Sequence, residues 1–318
     1  MENQSSTKQI YFAGSGSSLF GIYIVNAILT VITLGLYYPW AKAATLRYLY
    51  QETELEGSRF TFHGTGKEMF FGFIKAVGIF IALYALLLWA IFTKDPMTLY
   101  TAFAVFYVAL ILLIPIAVHG SMRYRMAKSS WRGIHFGYRG SLNELLKIFV
   151  GGFILSIVTL GIYSAWFTMN VRKYVLENVR FGSIKFHYTG TGGDFFVLVL
   201  KGYFLTIITL GIYSFWFAKD LFNFYINNLK LEQDERLIEL RSTATGGGFF
   251  GLIMVNILIV LFSLGLATPW ATVRTLRFVF SNILIEGDLD LNSISQTEKA
   301  YSDATGEDVA DMMDIGLV

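Results

Sequence analysis

Thr209-Leu210-Gly211-Ile212-Tyr213-Ser214-Phe215-Trp216 is stated four times in this chain. It recurs as Thr159-Leu160-Gly161-Ile162-Tyr163-Ser164-Ala165-Trp166 and as Thr33-Leu34-Gly35-Leu36-Tyr37-Tyr38-Pro39-Trp40. A looser copy is Ser263-Leu264-Gly265-Leu266-Ala267-Thr268-Pro269-Trp270. Each copy ends an apolar run and opens a basic, aromatic-rich stretch of helical character. The glycine is a helix terminator, and Pro39 or Pro269 suits a first helical turn, where its missing N–H costs nothing.

The surrounding composition sets the class. Of 318 residues, 54% are hydrophobic and only 15% charged, against roughly 25% charge in soluble domains. The mean hydropathy is +0.54. Twenty-nine Phe and eighteen Tyr supply aromatic belts for a membrane interface. A net charge of +2 argues against a nucleic-acid surface, which needs a concentrated basic patch. No cysteine is present, which excludes disulfides, thiolate metal sites and thiol chemistry. The polar start, Met1 to Lys8, lacks the charged region and cleavage site of a secretory signal, so the first apolar run is expected to stay as an anchor.

Apolar runs near 18–38, 69–92, 99–118, 144–165, 195–215 and 249–268 reach the roughly 20 residues of a bilayer crossing. Between them lie short alternating segments that end in glycines, such as Arg59-Phe60-Thr61-Phe62-His63-Gly64-Thr65-Gly66 and Ile184 to Gly192. Ile10 to Gly16, Gly133 to Gly140 and Glu239 to Gly246 are further versions, and Asp288 to Leu291 is a weak one. The repeating unit is strand, glycine turn, apolar segment, helix break, amphipathic helix and strand. Five units fit, near 10–61, 62–135, 136–185, 186–240 and 241–292, if the second holds an extra crossing. From Gly16 to Arg47 is 31 positions and from Gly66 to Arg123 is 57, an excess of about one crossing.

The expected fold is therefore an α-helical multi-pass membrane protein with internal repeats. It has about six apolar membrane segments, several kinked or re-entrant at Thr-Leu-Gly, with short β-strands in the connecting loops. Two arrangements compete. Clustered Lys and Arg after every copy favour one cytoplasmic side and one small cytoplasmic sheet, whereas simple alternation gives two small β-layers. Residues 1–292 read as one repeat-built domain and 293–318 as an acidic, disordered tail.

The run Tyr38-Pro39-Trp40-Ala41-Lys42, the pair Arg47-Tyr48 and Phe62-His63-Gly64-Thr65-Gly66 together resemble the YjgN family over roughly residues 10–292. The resemblance implies a multi-pass bacterial inner-membrane protein built around a domain of unknown function, and it transfers no catalytic residue. Ser263, Ala267 and Asn223, which stands where other copies carry a cation, depart from the pattern.

Candidate binding residues are the recurring cations Arg47, Arg123, Lys173 and Arg277, together with Lys201 inside an apolar run. A ring of them suits lipid phosphates or anions; topology-setting snorkelling is the plainer role. The structural motif comprises Gly35, Trp40, Gly161, Trp166, Gly211, Trp216, Gly265 and Trp270. None of the glycine turns is followed by the Gly-Lys-Ser/Thr of a P-loop. The four histidines lack metal-ligand spacing, and His63 and His187 read as repeat-equivalent. Lys75 is a second charge in a run, while Asn26 and Asn256 match as interhelical bonders. No cofactor, metal or enzymatic constellation is expected. The leading function is transport, channel or lipid and anion handling, with membrane lipids as partners and a homo-oligomer compatible. A non-catalytic envelope scaffold is the alternative.

Overall fold

A computed structural model describes residues 7–297; the acidic stretch from Asp303 onward lies outside the described residues. The element order is β-α-α-β, five times over. The units are β1 (Thr7–Phe12), α1 (Gly16–Ile32), α2 (Tyr38–Gln51), β2 (Thr53–Leu55); then β3 (Ser58–Phe62), α3 (Gly66–Thr93), α4 (Pro96–Ala127), β4 (Ser129–Trp131); then β5 (Ile134–Tyr138), α5 (Leu142–Val158), α6 (Ser164–Glu177), β6 (Val179–Phe181). The fourth is β7 (Ile184–Tyr188), α7 (Gly192–Ile208), α8 (Ser214–Asn227), β8 (Leu229–Gln233), and the fifth β9 (Arg236–Ser242), α9 (Gly246–Phe262), α10 (Thr268–Ser281), β10 (Ile283–Glu286).

The ten strands form a closed antiparallel barrel in sequence order, with β1 sealing against β10. This corrects the expected small sheet and the expected six membrane segments. Among the described residues, only Gly66–Thr93 and Pro96–Ala127 are long and apolar enough to cross a membrane. The physical reason lies at Thr-Leu-Gly. Runs such as 195–215 bridge a helix end: α7 stops at Ile208 after 17 residues, about 25 Å long and short of a hydrocarbon core of about 30 Å. Strands of three residues, as in β2, β4 and β6, carry almost no alternation to read.

Two-residue turns join each even strand to the next odd one. Glu56-Gly57, Arg132-Gly133 and Asp234-Glu235 all have positive φ, the hairpin geometry that matches strand twist. Helical hairpins join each odd strand to the next even one, so antiparallel order puts all five hairpins at the same end. One face of every strand fills the barrel interior. Ile10, Leu55, Phe60, Trp131, Phe136, Phe181, Phe186, Leu231, Leu240 and Ile285 converge in one core. Phe136 stacks on Phe181 with centroids 4.4 Å apart. At the turn end, Leu289, Leu291 and Ile294 cap this core. Gln233 fixes the cap by donating to the Asp290 carbonyl at 2.8 Å.

Neighbouring units interlock around the ring. The first helical glycine of one unit lies under the tryptophan of the preceding unit. A β-carbon at Gly66, Gly192, Gly246 or Gly16 would lie within about 2.4 Å of Trp40, Trp166, Trp216 or Trp270 respectively. The second unit has Ile116 in the tryptophan position, and the third unit's helix accordingly starts with Leu142 rather than glycine. Asn26 and Asn256 bond within their own hairpins, to the carbonyls of Ala41 and Ala271.

G192A is expected to lower stability by about 1–3 kcal/mol through overpacking. The pair W166I and G192L, copying the Ile116–Leu142 seam, is expected to restore more than either change alone. Thermal melts of the single and double variants in detergent decide it; additive losses would mean that indole and glycine are not coupled.

Candidate functional site

The four short hairpins end in the same turn. Leu34, Leu160, Leu210 and Leu264 have φ of 51°, 51°, 49° and 52°, and the glycines after them 91°, 91°, 94° and 89°. A left-handed leucine is costly, yet each of these side chains is 92–94% exposed. The turn satisfies its own backbone. The Thr209 hydroxyl donates to the Leu205 carbonyl at 2.7 Å and accepts from the Tyr213 N–H at 2.9 Å. Gly211 N–H donates to the Thr206 carbonyl, and Leu210 N–H to that of Ile207. Thr33 and Thr159 do the same, and Ser263 accepts from the Ala267 N–H while donating to the Val260 carbonyl. Internal satisfaction of this kind is what backbone needs in lipid. Behind the tips the outer helices expose Ile24, Val25 and Ile28 on α1 and Val197, Leu200 and Phe204 on α7. So large an apolar surface marks an interaction face.

The second hairpin differs. Its helices have 28 and 32 residues, and α3 outreaches the 17-residue α1, α5, α7 and α9 by about 16 Å. Its tip is polar, with Asp95 capping α4 through Thr98 N–H at 2.9 Å.

The candidate cations take several positions. Arg277 donates to the Gly14 carbonyl at 2.6 Å and Arg47 to that of Gly64 at 3.3 Å, each stapling its unit to the next. Lys173 lies 3.9 Å from Glu177, Arg123 is engaged within the protein, and Lys201 is exposed on α7. The exception Asn223 accepts from the Ser242 hydroxyl at 2.6 Å. Ser242 stands where other units place a rim aromatic: Phe12, Phe62, Tyr138 and Tyr188 each press on a glycine two residues on. There the fifth unit has Ala244. The departures Asn223, Ser242 and Ala244 are thus one compensated change at one seam.

The same rim register corrects the pairing of His63 with His187. Phe62 matches Tyr188, so His63 follows the rim position and His187 precedes it. On the outer barrel wall His63 bonds Ser130 Oγ at 2.8 Å, and its ring lies 5.6 Å from that of His135. Burial lowers the pKa of both; the Lys128 charge adds to the effect at His63, and His63 adds to it at His135. His187 contacts Glu232, whose carboxyl is held low by hydrogen bonds from Lys185 and His187.

Arg172 was not singled out from the sequence. It precedes the recurring basic-aromatic pair, where other units have Leu46, Met122, Phe222 and Leu276, and that contrast between units is the signal. Its guanidinium lies 3.8 Å over the Tyr225 ring and 5.4 Å over that of Tyr188.

These features define a ring of helical hairpins mounted on a filled β-barrel, with one hairpin long and apolar enough to cross a membrane. The chain belongs to the family described as bacterial protein of unknown function (DUF898), whose model matches residues 7–199 and 217–312. It is 30% identical over 211 residues to the inner membrane protein YjgN of Salmonella typhimurium, covering 53% of this chain and 51% of that one. It is 33% identical over 131 residues to inner membrane protein YjgN of Escherichia coli strain K12, covering 41% and 31%. The chain therefore spans about half or less of these relatives. No solved structure matches. The protein is located in the bacterial inner membrane.

The histidine pair gives a pH dependence. With native pKa values below the ordinary 6.5, the unfolded chain binds more protons as pH drops past that value, so stability present above it is lost toward acid. Melting temperature is expected to fall between pH 7.5 and 5.5, and H135Q to flatten the slope. An unchanged slope in H135Q would remove this pair as the cause.

Proposed function

We propose that this protein handles lipids at the cytoplasmic leaflet of the inner membrane, with its barrel in the cytoplasm and its short hairpins entering one half of the bilayer. The observation that carries the reading is the set of four apolar tips with internally satisfied backbone. With the Lys94-Asp95 turn at the far boundary, tips about 16 Å shorter end near the middle of a core about 30 Å thick. On this scale Lys201, the tenth residue of α7, sits about 14 Å above the helix start and reaches the lipid phosphates by snorkelling. Arg47 and Arg277 serve the ring by stapling it. Axial conduction is disfavoured, because aromatic side chains fill the barrel and Leu289, Leu291 and Ile294 cap it.

A scaffold reading draws on a different observation. An open groove of about 690 Å³ on the outer barrel wall is lined by charged residues such as Lys173, Glu177, Lys230 and Glu232 together with Tyr188 and Leu237, a mixed charged and apolar surface suited to a protein partner.

The absence of native cysteine makes the test direct. Cysteine at Thr98 is expected to react with impermeant reagent in intact cells, cysteines at Ser183 and Ser242 only after permeabilisation, and cysteine at Leu210 only after detergent. Native mass spectrometry is expected to show retained phospholipid, with no anion flux in proteoliposomes. Labelling of Ser242 but not Ser183 in intact cells, or flux without bound lipid, would overturn the reading.

A further inference from the structure

The outer wall of the barrel is divided by charge. Side chains that alternate with the inward core residues face away from the barrel axis. Among the described residues, strands β3 to β7 and the tight turns at Arg132 and Gly182 contain no Asp or Glu. Their outward positions include Arg59, Arg180 and Lys185, with Arg132 in a turn and Arg139 just past β5. Small residues form the floor between these cations: Thr61 pairs with Ser130, and Gly137 with Arg180. Burial lowers the pKa of His63 and His135, so arginine and lysine carry the charge of this face at neutral pH.

The rest of the wall has the opposite character. Glu54 stands on β2, Glu232 on β8, Glu239 on β9 and Glu286 on β10. Cations there pair within the wall, Lys230 with Glu239 at 2.7 Å and Arg241 with Glu286 at 3.4 Å. At the borders of the basic sector Arg59 meets Glu52 at 3.7 Å and Lys185 meets Glu232 at 2.7 Å.

The described chain ends at the foot of the basic sector. Strand β10 lies between β9 and β1, on the far side of the ring from β5 and β6. After β10 the chain crosses the turn end of the barrel and is fixed there. Arg132 donates to Asn292 Oδ1 at 3.3 Å, and the His135 N–H to Gln296 Oε1 at 3.0 Å. The Ser295 N–H donates to Ser183 Oγ at 3.3 Å, and the Thr297 hydroxyl to the Gly182 carbonyl at 2.6 Å. What continues is acidic. Residues 298–318 carry Glu298, Asp303, Glu307, Asp308, Asp311 and Asp314 against Lys299 alone. From Gly182 to the level of Arg139 is about 17 Å along the strands. An extended chain covers that in about five residues.

We propose that residues 298–318 dock along the outer wall of β3 to β7, as an acidic strap over this chain's own basic face. Length, exit point and charge all select this occupant. An exposed ion pair contributes little by itself, but a tether raises the local concentration of the segment to the millimolar range. Several weak pairs then act together, and any other anionic partner has to compete with the strap for the face. Docking weakens with salt, because the screening length falls from about 8 Å at physiological ionic strength to about 3 Å at 1 M. The lipid-handling reading is not needed for this docking, which concerns the barrel wall alone.

The test uses the full chain in detergent, where the absence of native cysteine allows engineered pairs. One cysteine is placed in the continuing segment, as A304C or A310C. Its partner is T61C on β3 or L237C on β9, strands equally far around the ring from the exit at β6. Mild oxidation is followed by non-reducing gels and mass spectrometry. Expected is an intrachain disulfide that forms severalfold faster with T61C than with L237C. The T61C rate is expected to drop severalfold in about 1 M NaCl, and likewise when the six acids become Asn or Gln. R139Q is expected to slow it as well. Should R139Q not fold, the amide variant, which alters no described residue, decides alone. Equal rates at the two walls, or a T61C rate untouched by salt and by the amide variant, would overturn the docking and leave the segment merely tethered nearby. Disulfides between chains in place of intrachain ones would also overturn it, giving the face to a second copy.

Discussion

The constraint on which everything else rests is strand direction in a closed antiparallel barrel. Tight turns and helical hairpins alternate as connections, so every hairpin leaves from the ends of odd strands. Five hairpins are thereby forced to one end without any instruction in their own sequences. A hairpin of two short helices then has one remaining problem, which is to reverse direction with its backbone groups satisfied. The Thr-Leu-Gly turn solves it with a hydroxyl that both donates and accepts and with two residues of positive φ. The leucine bears backbone strain, and its side chain points away from the protein.

Around the ring the units are held by contacts that pass from each to the next. An indole seated on a helix-start glycine and an arginine on a turn carbonyl make up the seam. Because each contact needs both partners, substitutions occur in pairs: Ile116 goes with Leu142, and Asn223 with Ser242 and Ala244. What looked like decay of the motif is substitution in register across a seam, with packing conserved by volume and hydrogen bonding.

Much of this was legible in the residues. The unit order, the helix break at Gly211 and its three counterparts, the glycine turns and the extra length of the second unit all follow from spacing. The barrel was not, for a definite reason. Its even strands have three to five residues, too few for alternation to rise above the helix they follow, so only half of the ring was visible and a small sheet was the natural expectation. The six membrane segments failed on length, because an apolar run does not reveal that its last residues form a turn. Among the site residues, Arg47 and Arg277 stood out by recurrence, and recurrence is what a structural staple produces. Arg172 counted only among the basic residues that follow the motif, and it was not picked as a site residue because a cation at that position does not recur.

The junction of β1 with β10 joins the two ends of the described chain, and Arg277 and Trp270 of the last unit engage Gly14 and Gly16 of the first. The ring therefore cannot be completed during synthesis until its final strand has left the ribosome. Until then β1 presents an unpaired edge, and an incomplete chain carries a second one at its growing end. Open edges invite pairing with another chain, so two nascent copies side by side are candidates for exchanging units. The fold's vulnerable moment is assembly in the crowded membrane, and closure of the circle ends it.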